Sequence, residues 1–332
     1  MCVYQEFDSD RNFEPSAMLA SRIIDLNSHR FRRQTACREL VMPLRNQRTI
    51  RKETSAEGVG FLTGADVSLR FLPAPENHGV VFQRVDLNGQ PSVPATHEFL
   101  VPRQRRTGIS GNGATIELVE HVMSALAGLQ VDNCLIEINA PETPGFDGSC
   151  KAVVDALLLA DFEEQSATKP QLRVSKPLHV TAENGSMIDA RPFGCEGQTI
   201  TYLLDYGPNS PIPAQSYTVN VTPESFVNEI CFARTFILDS EIASLKALGY
   251  GPRTTAKDLL VFTADGVLDN ELKAADECAR HKILDCIGDF ALTGYDVQGY
   301  FNAWRTGHQT NHELMRQLQE ASAAHEAESQ AA

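Results

Sequence analysis

Between Arg45 and Leu318, short runs of alternating apolar and polar residues give way to longer runs in which apolar residues recur at helical spacing. Strand-like alternation marks Thr49–Thr54 and Val67–Leu72, and Pro73-Ala74-Pro75 ends the second run. A glycine-rich turn, Glu57–Gly64, lies between them, and Gly79–Val85 predicts a third strand. From Ile116 to Leu129 the apolar positions 118, 122, 125, 126 and 129 predict an amphipathic helix that Gly128 closes. Cys134–Ile138 then predicts a strand, and Asp147-Gly148-Ser149 caps a helix running to about Ala160.

Gln165–Pro170 is polar and reads as a linker. Beyond it strands are expected at Leu172–Val174, Leu178–Ala182, Met187–Arg191, Thr199–Asp205 and Ser216–Val221. Thr222-Pro223-Glu224 joins a capping hydroxyl to a proline at the first helical position, so a helix starts there. A helix near Glu241–Leu248, a strand at Leu259–Thr263 and a long helix at about Leu272–Leu292 follow. A last helix begins near Thr310 and is expected to dissolve into the Ala/Glu-rich tail.

The two halves echo each other. Ala125-Leu126-Ala127-Gly128-Leu129-Gln130-Val131 reads against Ala291-Leu292-Thr293-Gly294-Tyr295-Asp296-Val297, from helix end to following strand. The expected fold class is therefore α+β, as two similar units of a sheet packed on helices, with the active site at their interface. The first unit spans 45–164 and the second 171–318; residues 1–44 read as a disordered extension and 319–332 as a flexible tail. In this register His281 and Asp285 fall opposite Thr115 and Val119, so a single site would draw different residues from each unit.

Composition narrows the function classes. The 332 residues are 42% hydrophobic and 22% charged, as in a globular protein with real cores. A formal net charge of −14 argues against a protein that coats nucleic acid or sits on an anionic membrane by charge alone. The eight cysteines are scattered, the pattern of free thiols in a reducing compartment rather than a disulfide framework. No run approaches the roughly 18 apolar residues of a membrane span, and the acidic N-terminus lacks a signal-peptide pattern. Cytoplasmic location is the expectation.

Candidate chemistry centres on Asp276–Asp289, DECARHKILDCIGD. On a helix His281 and Asp285 stack on one face, pre-positioned as ligands for a borderline metal such as zinc. Taken alone, the pair reads first as a surface pair or a satisfied buried histidine. Glu120-His121 is the second element: neighbours on a helix diverge by about 100°, so one can bind metal while the other faces water. His121, His281 and Asp285 would make three ligands and leave a position open, with Glu120 as base. Cys278 shares the stripe with His281 and Asp285, although a small buried cysteine is the commoner use. His308, in Gly307-His308, could act as general acid with Asp289 holding its ring. Thr235, in Ala233-Arg234-Thr235-Phe236, could donate to a developing oxyanion.

Together these pieces resemble one family, the UDP-3-O-acyl-N-acetylglucosamine deacetylases, zinc amidases of lipid A biosynthesis. The resemblance runs from about Arg45 to Leu318 and rests on VEHVMSALAGLQVDN, PETPGFDGS, ARTF, HKILDCIGDFALTG and GHQTNHELM. It implies His121, His281 and Asp285 as zinc ligands, one zinc per chain, with iron as the alternative occupant in the cell. It implies Glu120 as the base that activates water for attack on the N-acetyl carbonyl, Thr235 as oxyanion donor, and His308 beside Asp289 as the acid that protonates the leaving amine. Lys282 and Arg305 fall where the family places cations near the charged head group. An apolar passage for the acyl chain is expected in an insert at roughly Leu248–Leu268, with Phe236 near its mouth. The partner is then a small lipid-linked UDP-sugar, with no nucleic acid, at most transient contact with the inner membrane surface, and a monomeric protein.

The chain departs from the family at Leu62, where the glycine-rich turn usually carries a histidine, and at Cys278, usually a large apolar side chain. The insert GYGPRTTAKDLLVF departs as well. The reading is a zinc hydrolase releasing acetate and the free amine. Its rivals are a deacetylase of another N-acetylated sugar nucleotide, a non-catalytic sugar-nucleotide-binding homologue, and a structural metal domain using Cys278.

Overall fold

The strand at Thr54–Val59 (β1) turns back into Asp66–Pro73 (β2), and the two pair antiparallel. The computed structural model describes residues 44–192 and 197–331, with side chains up to 324; the extension at 1–43 lies outside the described residues. Val80–Arg84 (β3), Ser92–Pro94 (β4) and Cys134–Ile138 (β5) complete a five-stranded sheet of order β1-β2-β5-β3-β4. In the second half Leu178–Thr181 (β6), Met187–Arg191 (β7), Gln198–Leu204 (β8), Gln215–Val221 (β9) and Asp296–Trp304 (β10) take the order β6-β7-β10-β8-β9. The central strand of each sheet is antiparallel to one neighbour and parallel to the other, in the same sense in both. The fold is α+β, and the two halves share one topology.

Each central strand is delivered by a helix, Glu120–Gly128 (α1) before β5 and Glu277–Ala291 (α4) before β10; these helices pack on each other. Lys151–Ala160 (α2), Ile242–Ala247 (α3) and His308–Ala331 (α5) are further α-helices, and a short α-helix at Pro223–Ser225 continues as a π-helix over Phe226–Ile230. The core is continuous from sheet to helix. Leu69, Phe71, Phe82, Ile136 and Ile138 of the first sheet and Ile188, Ile200, Tyr202 and Phe301 of the second are all fully buried, as are Leu284 and Phe290 of α4. At about 25 cal/mol per Å² removed from water, such side chains supply the main drive for assembly.

Several expectations from the pattern are corrected. Ile116 is not helical: Ala114–Glu117 pairs with Gly108–Gly111 as a strand, and Leu118 at φ 61° breaks the chain before α1 begins. Gln165–Pro170 is not a free linker, because Phe162–Thr168 is a strand antiparallel to Asn46–Ile50. The long helix begins at Glu277 rather than Leu272; the backbone N–H of Lys273 donates to the Glu277 carboxylate (2.6 Å), closing a turn there instead. The last helix does not dissolve after Leu318 but runs to Ala331, as the Ala, Glu and Gln content of that segment favours.

The sequence echo is also displaced from the structural one. After α4 the chain stops at Gly294 (φ 78°), but after α1 the matching left-handed residue is Gln130 (φ 58°), not Gly128, which is helical. The parallel bridge of Thr49 with Asn133 corresponds to that of Leu172 with Val297, at the same distance beyond each stop. In this register Asp285 matches His121, rather than Val119.

Candidate active site

Helices α1 and α4 meet at Gly288, where a Cβ would stand 2.0 Å from the carbonyl oxygen of Glu120. Only glycine permits that approach, and it sets the first turn of α1 against the turn of α4 that carries Asp285 and Asp289. His121, His281 and Asp285 bring one ligand atom each to within 4.8 Å of the others. From Asp285 Oδ1, His121 Nε2 lies at 3.6 Å and His281 Nε2 at 3.4 Å. Two donors each about 2.0 Å from a tetrahedral zinc stand roughly 3.3 Å apart, so the spacing suits such an ion.

The donors are in the right chemical state. His281 is fully buried, and its Nδ1–H donates to the carbonyl of Ala233 (3.1 Å), which fixes the tautomer and leaves a lone pair on Nε2. That Nε2 is buried without a hydrogen-bond partner, an orphan that a metal would satisfy. Burial pushes the His281 pKa down to about 3, so the imidazole is neutral. Burial works against ionisation of Asp285, but Lys282 and His281 outweigh it and hold the carboxyl well below its usual range. Lys282 Nζ donates to Asp285 Oδ2 (2.8 Å), which turns Oδ1 toward the histidines. Two imidazoles and a carboxylate form a donor set for zinc or iron.

Beside this group lies a second cluster of buried titratable side chains. Glu120 is buried, desolvation raises its pKa, and its Oε2 accepts the backbone N–H of Thr107 (3.1 Å). His308 Nε2 is 3.8 Å from Glu120 Oε1, and its Nδ1 is 3.0 Å from Asp289 Oδ2. Burial disfavours the imidazolium, yet the charge and hydrogen bond of Asp289 override it and raise His308 to about 9. Asp289 also accepts from Thr107 Oγ1 (2.6 Å), Asn311 Nδ2 (2.8 Å) and His312 Nε2 (3.1 Å). Thr107, Asn311 and His312 escaped the sequence reading. Gly307-His308-Gln309-Thr310-Asn311-His312 carried a signal for two of them, since Asn311 and His312 follow His308 by three and four residues on one helix face.

Thr235 is fully buried between two anchors: its N–H donates to Gly148 O (2.8 Å), and its carbonyl accepts from Leu260 N (3.0 Å). Next to it Arg234 forms a buried pair with Glu277 (2.7 Å), so the Ala233–Phe236 segment is tied to the start of α4. Phe236 lies edge-on to His281 (6.2 Å) and to Phe262 of the insert (6.4 Å). Lys282, expected beside the head group, is only 1% exposed, held on Asp285 and 5.8 Å from the Phe236 ring; its charge orients the carboxylate here. Arg305 remains partly exposed, stacked on the Trp304 ring (4.3 Å). Cys278 is buried, desolvation pushes its thiol well up, and it is not part of the metal group. Leu62 and Thr63 donate their N–H groups to the buried Glu142 carboxylate (2.7 and 2.6 Å), so a carboxylate closes this turn from within.

Among the described residues no helix is long and apolar enough to cross a membrane. The family profile described as UDP-3-O-acyl N-acetylglycosamine deacetylase matches residues 47–320. Proteins named UDP-3-O-acyl-N-acetylglucosamine deacetylase from Myxococcus xanthus and Legionella pneumophila are each 36% identical over 276 residues, covering 82% of this chain and 86% and 89% of theirs. The protein of that name from Stenotrophomonas maltophilia is 36% identical over 274 residues, 82% of this chain and 89% of its own. With a profile match spanning both halves and relatives 36% identical over most of their length, the chain belongs to the UDP-3-O-acyl N-acetylglycosamine deacetylase family.

Proposed function

We propose that His121, His281 and Asp285 hold one zinc ion and that Glu120, Thr235, His308 and Asp289 carry out the family's hydrolysis around it. The family reaction is removal of the N-acetyl group from UDP-3-O-acyl-N-acetylglucosamine, in lipid A biosynthesis. Bound by these ligands, zinc would supply Lewis acidity to the carbonyl and acidify water. Glu120, raised by burial, takes the proton from the attacking water. The Thr235 hydroxyl donates to the developing oxyanion. His308 gives its Nε2 proton to the amine nitrogen as the C–N bond breaks, and Asp289 holds the ring through Nδ1.

The observation that supports this most directly is the orphaned Nε2 of His281, aimed into a group of three ligand atoms beside the buried Glu120–His308 pair. Arg305 would meet the diphosphate, with Lys282 behind it acting through Asp285. Phe236 would stand between the reacting centre and the acyl passage, and the two α+β units, 45–164 and 171–318, would close around the substrate. One metal per chain, zinc or in the cell iron, a cytoplasmic monomer and a transient contact with the inner membrane belong to the same reading. The experiment is acetate release from the acylated UDP-sugar, measured before chelation, after it, and after zinc is restored. Activity lost and regained supports the reading; full turnover by the stripped protein refutes it.

A further inference from the structure

Asp289 serves two histidines. Its Oδ2 accepts from His308 (3.0 Å) and Asn311 (2.8 Å), and its Oδ1 from Thr107 (2.6 Å) and His312 (3.1 Å). His312 lies one turn after His308 on α5, and its Nε2 is also 3.3 Å from Thr107 Oγ1. The carboxylate is wholly buried, whereas the His312 side chain is 20% exposed. A general acid needs its ring held by a partner that does not grip the proton too hard. With His308 as its sole donor, a buried carboxylate would make that imidazolium a poor acid.

We propose that His312 is a positioning residue of the deacetylation: with Thr107 it draws on the charge of Asp289, and so sets how readily His308 releases its proton to the leaving amine. The inference rests on His308 being the acid. In the step concerned, the His308 Nε2–H bond breaks, the proton joins the amine nitrogen as the C–N bond opens, and His308 regains a proton from solvent. The groups facing His308 are Asp289 and Asp285 from α4, Glu120 from α1, and His312 from its own helix. The sign of the effect does not depend on the charge of His312. A neutral ring donating to Oδ1 and a charged ring beside it both weaken the hold of Asp289 on His308.

The test is the pH profile of kcat/KM for the zinc-loaded enzyme and its His312→Leu, His312→Asn, Thr107→Val and His308→Ala variants. Loss of a donor in His312→Leu moves the alkaline limb up by about half to one pH unit and lowers kcat at neutral pH by about threefold. His312→Asn, which keeps a donor, returns the limb toward the wild-type position, and Thr107→Val moves it in the same direction as His312→Leu. A limb unmoved in both His312→Leu and Thr107→Val overturns the inference, as does a loss of rate in His312→Leu that His312→Asn does not rescue. His308→Ala separates the two readings: if it abolishes the alkaline limb while the His312 variants leave it in place, only the inference fails. If His308→Ala keeps the limb, His308 is not the acid and both fall. Should His312→Leu not fold, His312→Gln, which keeps a donor on a longer arm, and Thr107→Val still read the limb.

Discussion

The Cα of Gly288 faces the carbonyl oxygen of Glu120 so closely that a methyl group there would sit 2.0 Å from it. The obstacle is backbone, not a flexible side chain, so one helix must move. Gly288→Ala should cost about 1–3 kcal/mol of stability, despite alanine's better helix propensity. It should also displace His121 from Asp285 and lower kcat/KM by about a hundredfold, as a misplacement near 1 Å does. Thermal unfolding and turnover on the same preparation check both; a variant with unchanged stability and rate would contradict the contact.

Metal content separates the roles of two neighbours on α4. His281→Ala should lose the bound zinc, and Cys278→Ala should keep it near one per chain. Elemental analysis of the purified variants gives the answer without an activity assay. Zinc lost from the cysteine variant would return the thiol to the ligand list.

Removal of Glu120 or His308 should each cost 10²- to 10⁴-fold in kcat, the usual range for a positioned acid or base. The Glu120→Gln protein should still bind substrate with little change in affinity. A near wild-type rate from it would end its role as base.

His308 also links pH to stability. Its pKa stands at about 9 in the fold against an ordinary value of about 6.5. The group's contribution is therefore fully present below about 6.5 and is lost as pH climbs through about 9. A shift of this size corresponds to roughly 3 kcal/mol. Denaturant midpoints at pH 6.5 and 9.5 should fall for the wild type, and His308→Ala should flatten that fall.

Arg234 and Glu277 form a buried pair, with side chains 6% and 0% exposed. Arg234→Met leaves the Glu277 carboxylate uncompensated and should destabilise the fold by about 3–5 kcal/mol. Because Arg234 also bonds Asn270 and the carbonyl of Glu271, Thr235 should shift with it and kcat should drop. Calorimetry and kinetics on Arg234→Met and Arg234→Lys test this; lysine, with a single point charge, should restore only part of either.

What could be read in the sequence was what local spacing encodes. His281 and Asp285 share a helix face because the helix repeats every 3.6 residues, and Glu120-His121 opens a helix for the same kind of local reason. Thr107 could not be read, because its hydroxyl meets Asp289 182 residues further along the chain. Leu118 fell at helical spacing by coincidence, and the predicted helix reached back to Ile116, which pairing with Gly108–Gly111 takes into a sheet. The inward turn of Lys282 was equally invisible, since it depends on which way Asp285 faces. Gly128 and Gly294 look alike in sequence but do different work, one making room for the Phe226 ring and the other taking the left-handed turn.

The structural register has a consequence for how such a centre arises. When two copies of one unit associate about a two-fold axis, a residue near the axis meets its own counterpart. His121 and Asp285 are counterparts of this kind, and their donor atoms lie 3.6 Å apart. A single position of the repeated unit therefore supplies two of the three candidate ligands, one from each half. The candidate metal group lies at a seam between like parts, and histidine on one side and aspartate on the other give it two distinct faces.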